Sequence, residues 1–259
     1  MRGRYPQLSE IRYAFGPGPM TPAVKAILIT NVMVFLVTYF ANSSPLEGNP
    51  VIRLLGLQPA SLFGKFTIWQ PITYMFVHGG VSHIFFNMLT LWLIGVELER
   101  LWGTTYFTKF YFVSGLGAGF TQVLLGILPF DFANQFYLPI TIGASGAIYG
   151  LLLAFALYYP TRPFLVFFIF PVQARYFVMI LGGLSLLFSL GGGSGVAHTA
   201  HLGGLVTGYL YLRRPRITPR INIFSEIQYR FLKWRINRMR RKFDVYSGGR
   251  RDDWDRRVH

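Results

Sequence analysis

The chain reads as an all-α polytopic membrane protein, a bundle of six transmembrane helices. Three observations predict this. Of 259 residues, 52% are hydrophobic and only 14% charged, against about 25% charged in a soluble domain. The charges are also badly placed for a water-facing surface. Between Pro22 and Leu212 there are seven Lys/Arg (Lys25, Arg53, Lys65, Arg100, Lys109, Arg162, Arg175) and four Asp/Glu (Glu47, Glu97, Glu99, Asp131). Finally, six apolar segments recur along that same stretch, most of it therefore facing lipid or protein.

Taken in order, residues 1–21 carry Arg2, Arg4 and Arg12 without an apolar run. They form a cytoplasmic segment and not a cleaved signal peptide. The membrane domain occupies 22–212. Its first segment is about Ala23–Ala41, followed by a long polar-aromatic loop to His78. The second, about Val81–Val96, ends at Glu97, Glu99 and Arg100. The third is about Tyr106–Leu128, and the loop after it has Asp131 but no Lys/Arg. The fourth, about Gly143–Tyr159, stops at Pro160 and Pro163. Phe164–Pro171 is apolar but reaches only roughly 12 Å at 1.5 Å per residue, too short to span, and reads as interfacial or re-entrant. The fifth is about Tyr176–Leu190. A Gly-Gly-Gly-Ser-Gly loop (Gly191–Gly195) leads to the sixth, about Ala197–Leu212.

Basic residues orient the bundle. The N-terminus, Arg100, Lys109, Arg162, Arg175 and the tail lie on one side; Arg53 and Lys65 alone lie on the other. Both termini are therefore expected in the cytoplasm, and the second, fourth and sixth segments run from outside to inside. The tail, 213–259, holds 15 Lys/Arg and 5 Asp/Glu, a net charge of +10. Within it, 221–243 is a candidate amphipathic helix, with Phe224, Ile227, Phe231 and Trp234 at helical spacing among basic residues. Such a helix suits an anionic lipid face, a simpler partner beside a membrane domain than nucleic acid.

Polar residues inside apolar segments are costly and so are functional candidates. His83, Asn87, Ser145 and His201 lie on the second, fourth and sixth segments. His83 is 14 residues before Glu97, Ser145 15 before Pro160 and His201 12 before Arg213, placing all three roughly 18–22 Å from the cytoplasmic boundary. A lone transmembrane serine ordinarily bonds its own backbone; a coincidence of three polar groups at one depth needs another reason. Serine needs a base within reach to become a nucleophile. His201 can be that base, with His83 the other histidine at this depth; His198 is nearer the loop. No carboxylate shares the depth, so a Ser-His dyad is expected instead of a triad. Gly146/Gly150 and Gly204/Gly208, each four apart, would let the two helices approach closely. His83 and Asn87 share a helix face, and with the Ser145 amide, unpaired in a first turn, they are candidate oxyanion donors.

At these residues the sequence resembles the rhomboid family of intramembrane serine proteases, over about Trp69 to Tyr209. Gly143-Ala144-Ser145-Gly146 resembles its Gly-x-Ser-Gly motif. Ala200-His201-Leu202-Gly203-Gly204 resembles its Ala-His-x-x-Gly motif, with Gly208 completing the packing face. His78, His83 and Asn87 resemble its His-x4-His-x3-Asn pattern, and Glu99-Arg100 with Gly103 its turn after the second helix. The resemblance implies a six-helix rhomboid-like bundle in which Ser145 is the nucleophile and His201 the base. His83, Asn87 and the Ser145 amide would form the oxyanion hole, and Tyr149 would stack on the imidazole. Loop 191–195 and the fifth helix would gate access. The implied activity is endopeptidase cleavage of transmembrane segments of membrane-protein substrates. Where the family often has Trp-Arg, this chain has Trp69-Gln70, and glutamine lacks arginine's charge and forked donors.

The alternative of the same fold is a non-catalytic membrane chaperone or substrate-binding scaffold; such relatives lack the Ser or His that are both present here. A transporter would show inverted repeats, and a zinc protease His-Glu-x-x-His; neither occurs, and no metal or cofactor is expected. With no long targeting extension, a prokaryotic plasma membrane is the expected location.

Overall fold

The computed structural model describes residues 17–41, 48–130, 133–166, 169–190, 195–214 and 231–236. The described residues contain six long helices: Pro22–Phe40, Val81–Trp102, Thr104–Gly126, Ser145–Tyr158, Ala174–Leu190 and Gly195–Arg213. They coincide with the six apolar segments and are called here the first to sixth. The first and second are long and apolar enough to cross a bilayer, with mean hydropathies of 1.9 and 1.5. The fourth and fifth are apolar but shorter. The third and sixth are diluted by Gly, Ser, Thr and Tyr, and those residues form packing faces.

The third helix sits at the centre, with Phe107, Phe110 and Tyr111 fully buried, and packs on the fourth and sixth. Backbone-to-backbone contact is possible there because the facing residues are small. A β-carbon on Gly204 would lie 2.0 Å from the Gly146 carbonyl oxygen, and one on Gly208 3.0 Å from Gly150 Cα. The third helix joins this seam through Ala118, which a β-carbon on Gly146 would meet at 2.4 Å, and Ser114, which one on Gly150 would meet at 2.5 Å.

The expected boundaries change at three places, each for a physical reason. The second helix does not stop at Val96 but continues to Trp102, through a π-helical turn at Leu91–Gly95. Glu99 does not end it because Glu99 is only 2% exposed and fully engaged. Its carboxylate accepts from Thr21 Oγ1 (2.5 Å), the Ala23 and Val24 amides (2.9 and 3.0 Å) and Thr104 Oγ1 (2.7 Å). It thus caps the first helix, whose Thr21 cap position makes no side-chain bond to its own first turn, and holds the start of the third. Arg100 donates to the Pro17 and Pro19 carbonyls at 2.5 and 2.8 Å. The helix ends at Gly103, whose φ of 79° few other residues adopt.

The fourth helix starts at Ser145, not Gly143, because Gly143 has φ 120°. The apolar stretch expected to be interfacial or re-entrant contributes to a pair of strands: β1 (Pro163–Val166) pairs antiparallel with β2 (Phe170–Gln173), Phe164 opposite Val172. Phe164 packs between Phe155 and Phe177, 5.1 Å from each. The long first loop also holds short helices, Pro50–Leu55, Pro59–Gly64 and Gln70–Thr73, and a 3-10 turn at Tyr74–Phe76.

The chain divides into two compact units, Met1–Arg214 and Pro215–His259. In the second, residues 231–236 are helical, with the Phe231 and Trp234 rings 6.0 Å apart; the rest of 221–243 lies outside the described residues.

Candidate active site

Ser145 is the first residue of the fourth helix, and Ala144 before it offers no side-chain cap. The first-turn amides, Ser145's included, therefore have no intrahelical acceptor and carry the positive end of the helix dipole. His201 lies on the sixth helix across the glycine seam, and its Nε2 is 2.7 Å from Ser145 Oγ. The two helices can bring them so close only because Gly146 and Gly204 carry no side chains between them. His201 Nδ1 has no hydrogen-bond partner among the described residues, so no carboxylate completes a triad there. Both Ser145 and His201 are half-buried.

Tyr149, one turn along from Ser145, stacks on the imidazole with centroids 4.1 Å apart and planes 10° from parallel. Its hydroxyl lies 3.4 Å from Ser185 Oγ on the fifth helix. His198 meets His201 edge-on at 5.9 Å and lies 5.1 Å from Phe188.

His83 faces the same spot from the second helix. A β-carbon on Gly143 would lie 2.9 Å from His83 Nε2 and 3.7 Å from Ser145 Oγ. Gly143 is thus required twice, by its backbone conformation and by the space between imidazole and hydroxyl. His83 Nδ1 accepts from the Gly79 amide at 3.4 Å, which turns Nε2 toward that space. His78 is 1% exposed and packs edge-on against His83, centroids 4.9 Å apart. Asn87 is buried, and its side-chain amide donates to the His83 carbonyl at 2.7 Å; one of its two N–H groups is therefore committed to its own helix.

Of the residues read from the sequence, Ser145, His201, Tyr149, His83 and Gly143 converge on this space; Gly204 and Gly208 line the seam beneath it; His78 and Asn87 stand behind His83. Loop positions 191–194 lie outside the described residues. Four contributors were missed. Ser185 looked like any helical serine. Ala118 and Ser114 belong to a small-residue face on the third helix that repeats like the two glycine pairs and could have been found with them. Tyr74 is the fourth: its hydroxyl donates to the Gly115 carbonyl at 2.6 Å, and its own carbonyl accepts the Gly143 amide at 2.9 Å, fixing the loop that precedes Ser145. Gln70 is 0% exposed; its oxygen accepts the Gln58 amide at 3.2 Å and its nitrogen donates to the Arg53 carbonyl at 3.2 Å. A neutral carboxamide thus anchors the first loop where the resemblance led one to expect arginine.

A sequence model of the Rhomboid domain matches residues 65–214. The chain is 29% identical over 213 residues to RHOMBOID-like protein 4 of Arabidopsis thaliana, covering 72% of this chain and 50% of that protein. It is 27% identical over 195 residues to Rhomboid protease GluP of Bacillus subtilis (75% and 35%). It is 28% identical over 207 residues to Rhomboid protease AarA of Providencia stuartii (71% and 70%). The chain spans about half the length of the first two of these relatives or less, and the relatives come from plants and bacteria alike.

Proposed function

The chain belongs to the rhomboid family, and we propose that it is an intramembrane serine endopeptidase working through a Ser145–His201 dyad. The observation that carries this reading is the 2.7 Å contact between His201 Nε2 and Ser145 Oγ, made across two helices 56 residues apart in sequence. In this reading all six long helices span the bilayer with both termini in the cytoplasm, as the Lys/Arg distribution argues. The substrates are transmembrane segments of other proteins, and the basic tail rests on anionic lipid.

The contact between Ser145 and His201 supports the following reaction. Ser145 Oγ attacks the carbonyl carbon of the scissile peptide while His201 Nε2 takes its proton. The oxyanion collects charge where the Ser145 amide and His83 Nε2 can donate to it, with Asn87 behind them. His201 then gives its proton to the departing amine as the C–N bond breaks. A water, deprotonated by His201, attacks the acyl-Ser145 ester, and the hydroxyl returns to Ser145 with the proton from His201. A peptide bond within an intact helix hides its carbonyl, so segments with helix-breaking or small residues near the cut are the substrates this site suits.

The test is a fluorescent fluorophosphonate on purified wild type, Ser145→Ala and His201→Ala, each shown to be folded by its thermal transition. Labelling of wild type that is absent from both variants is the expected result. A folded wild type that fails to label in lipid as well as in detergent would overturn the reading and favour a non-catalytic relative.

A further inference from the structure

The rule that places Lys/Arg on the cytoplasmic side leaves two residues unexplained. Arg53 and Lys65 are the only basic residues in the segments 42–80, 127–144 and 191–195. They are twelve positions apart, on two different short helices or their ends, yet both line one cavity of about 970 Å³. The cavity lies between the first loop and the segment 138–142. The Leu57 and Thr141 backbones clasp each other there, N–H to O, at 2.9 and 2.8 Å. Gly56 lets the two loops close, since a β-carbon there would lie 2.5 Å from Ile140 Cγ2.

The lining is two-sided in chemistry. Arg53, Lys65 and Thr67 supply a cationic, polar side; Ile52, Ile140 and Ile142 supply an apolar one. Among the described residues no acid lines it, and neither Arg53 nor Lys65 makes an ion pair. Two exposed cations beside one cavity, with no counter-ion among the described residues, suit an anion. The apolar wall asks that the anion be attached to hydrocarbon. The rest of the loop agrees, because Leu54, Phe63, Phe66 and Ile68 are 50–77% exposed, a surface suited to acyl chains and not to water.

We infer that this cavity binds the phosphate headgroup of an anionic phospholipid in the outer leaflet, with Arg53 and Lys65 holding the charge and the isoleucine wall receiving the top of an acyl chain. This rests on the orientation proposed above. The apolar wall continues through Ile142 into Gly143 and Ser145, so the lipid would brace the segment that leads to Ser145.

The full chain in neutral detergent is titrated with di-octanoyl phosphatidylglycerol, di-octanoyl phosphatidylcholine or inorganic phosphate while its thermal unfolding is followed. The expected result is a saturable rise in the transition temperature with phosphatidylglycerol only. In the Arg53→Gln/Lys65→Gln variant, folded as judged by its transition without lipid, half-saturation should need about tenfold more lipid or more, the loss of one or two charged contacts. Arg53→Lys/Lys65→Arg should restore it. A phosphatidylglycerol effect unchanged in the double Gln variant, or an equal effect of phosphatidylcholine, would overturn the inference. An equal effect of inorganic phosphate would overturn the lipid source and leave a free-anion site. Fluorophosphonate labelling of wild type in the same samples keeps the two ideas apart: a labelled enzyme without the lipid response sinks this site alone, and the lipid response without labelling sinks the protease reading alone.

Discussion

Tyr149 lies flat on His201, the two rings 4.1 Å apart and 10° from parallel, while its hydroxyl reaches Ser185 on the neighbouring helix. With no partner on His201 Nδ1 among the described residues, this stack helps to fix the plane of the imidazole. Removing the ring in Tyr149→Ala should slow fluorophosphonate labelling about 3- to 10-fold, the worth of one aromatic stack. Tyr149→Phe keeps the ring and should label nearly as wild type. Equal losses in both would place the importance in the hydroxyl.

The glycine seam sets the distance between Ser145 and His201. Gly204→Ala would put a carbon 2.0 Å from the Gly146 carbonyl oxygen, a rigid backbone atom, so the helices must part. We expect a loss of about 1–3 kcal/mol in stability together with a labelling rate reduced beyond what partial unfolding explains. Gly183→Ala is the control, since no atom lies within 4 Å of its added carbon; it should be neutral or slightly stabilising.

His83 and Asn87 should not be equal partners. His83 Nε2 borders the space beside Ser145, whereas the Asn87 amide is bonded to the His83 carbonyl. His83→Ala should lower the turnover number by on the order of 10²–10³, as for the loss of one oxyanion donor. Asn87→Ala should cost less, and the ranking in single-turnover cleavage of a transmembrane substrate checks it.

Glu99 holds two helix starts with one buried carboxylate. Glu99→Gln puts an amide N–H₂ where two backbone N–H groups need an acceptor, and should cost about 3 kcal/mol. Arg100→Ala, on the exposed side of the same turn, should cost about 1 kcal/mol or less. Thermal melts of the two variants in one detergent give the comparison; a milder effect at Glu99 than at Arg100 would contradict the capping role.

Much of this site was legible because membrane segments betray their polar residues. Ser145, His201 and His83 stood out by depth alone, and the glycine pairs by spacing. Helix ends were less legible. Glu99 was read as a stop because a charged residue ordinarily leaves the bilayer, and the four hydrogen bonds that keep it buried come from residues up to 78 positions away. The Phe164–Pro171 stretch is too short for a span, but its period does not announce the strand pairing of β1 with β2. Ser185 and Tyr74 act through contacts 36 and 41 residues distant, which no local pattern announces.

The π-helical turn at Leu91–Gly95 works as a phase shifter. It stands between His83, which looks toward the serine, and Glu99, which looks toward the first and third helices. Each residue advances an α-helix by about 100°, and a π-turn amounts to one residue inserted into that count. The two ends of this helix can therefore be angularly tuned independently of each other. Deleting one residue within 91–95 would restore an ordinary α-helix with its two ends still in phase; straightening the turn with no residue removed would swing one end by about 100° against the other. The molecule would then have to choose which to keep in alignment, the imidazole beside the serine or the carboxylate beneath the bundle.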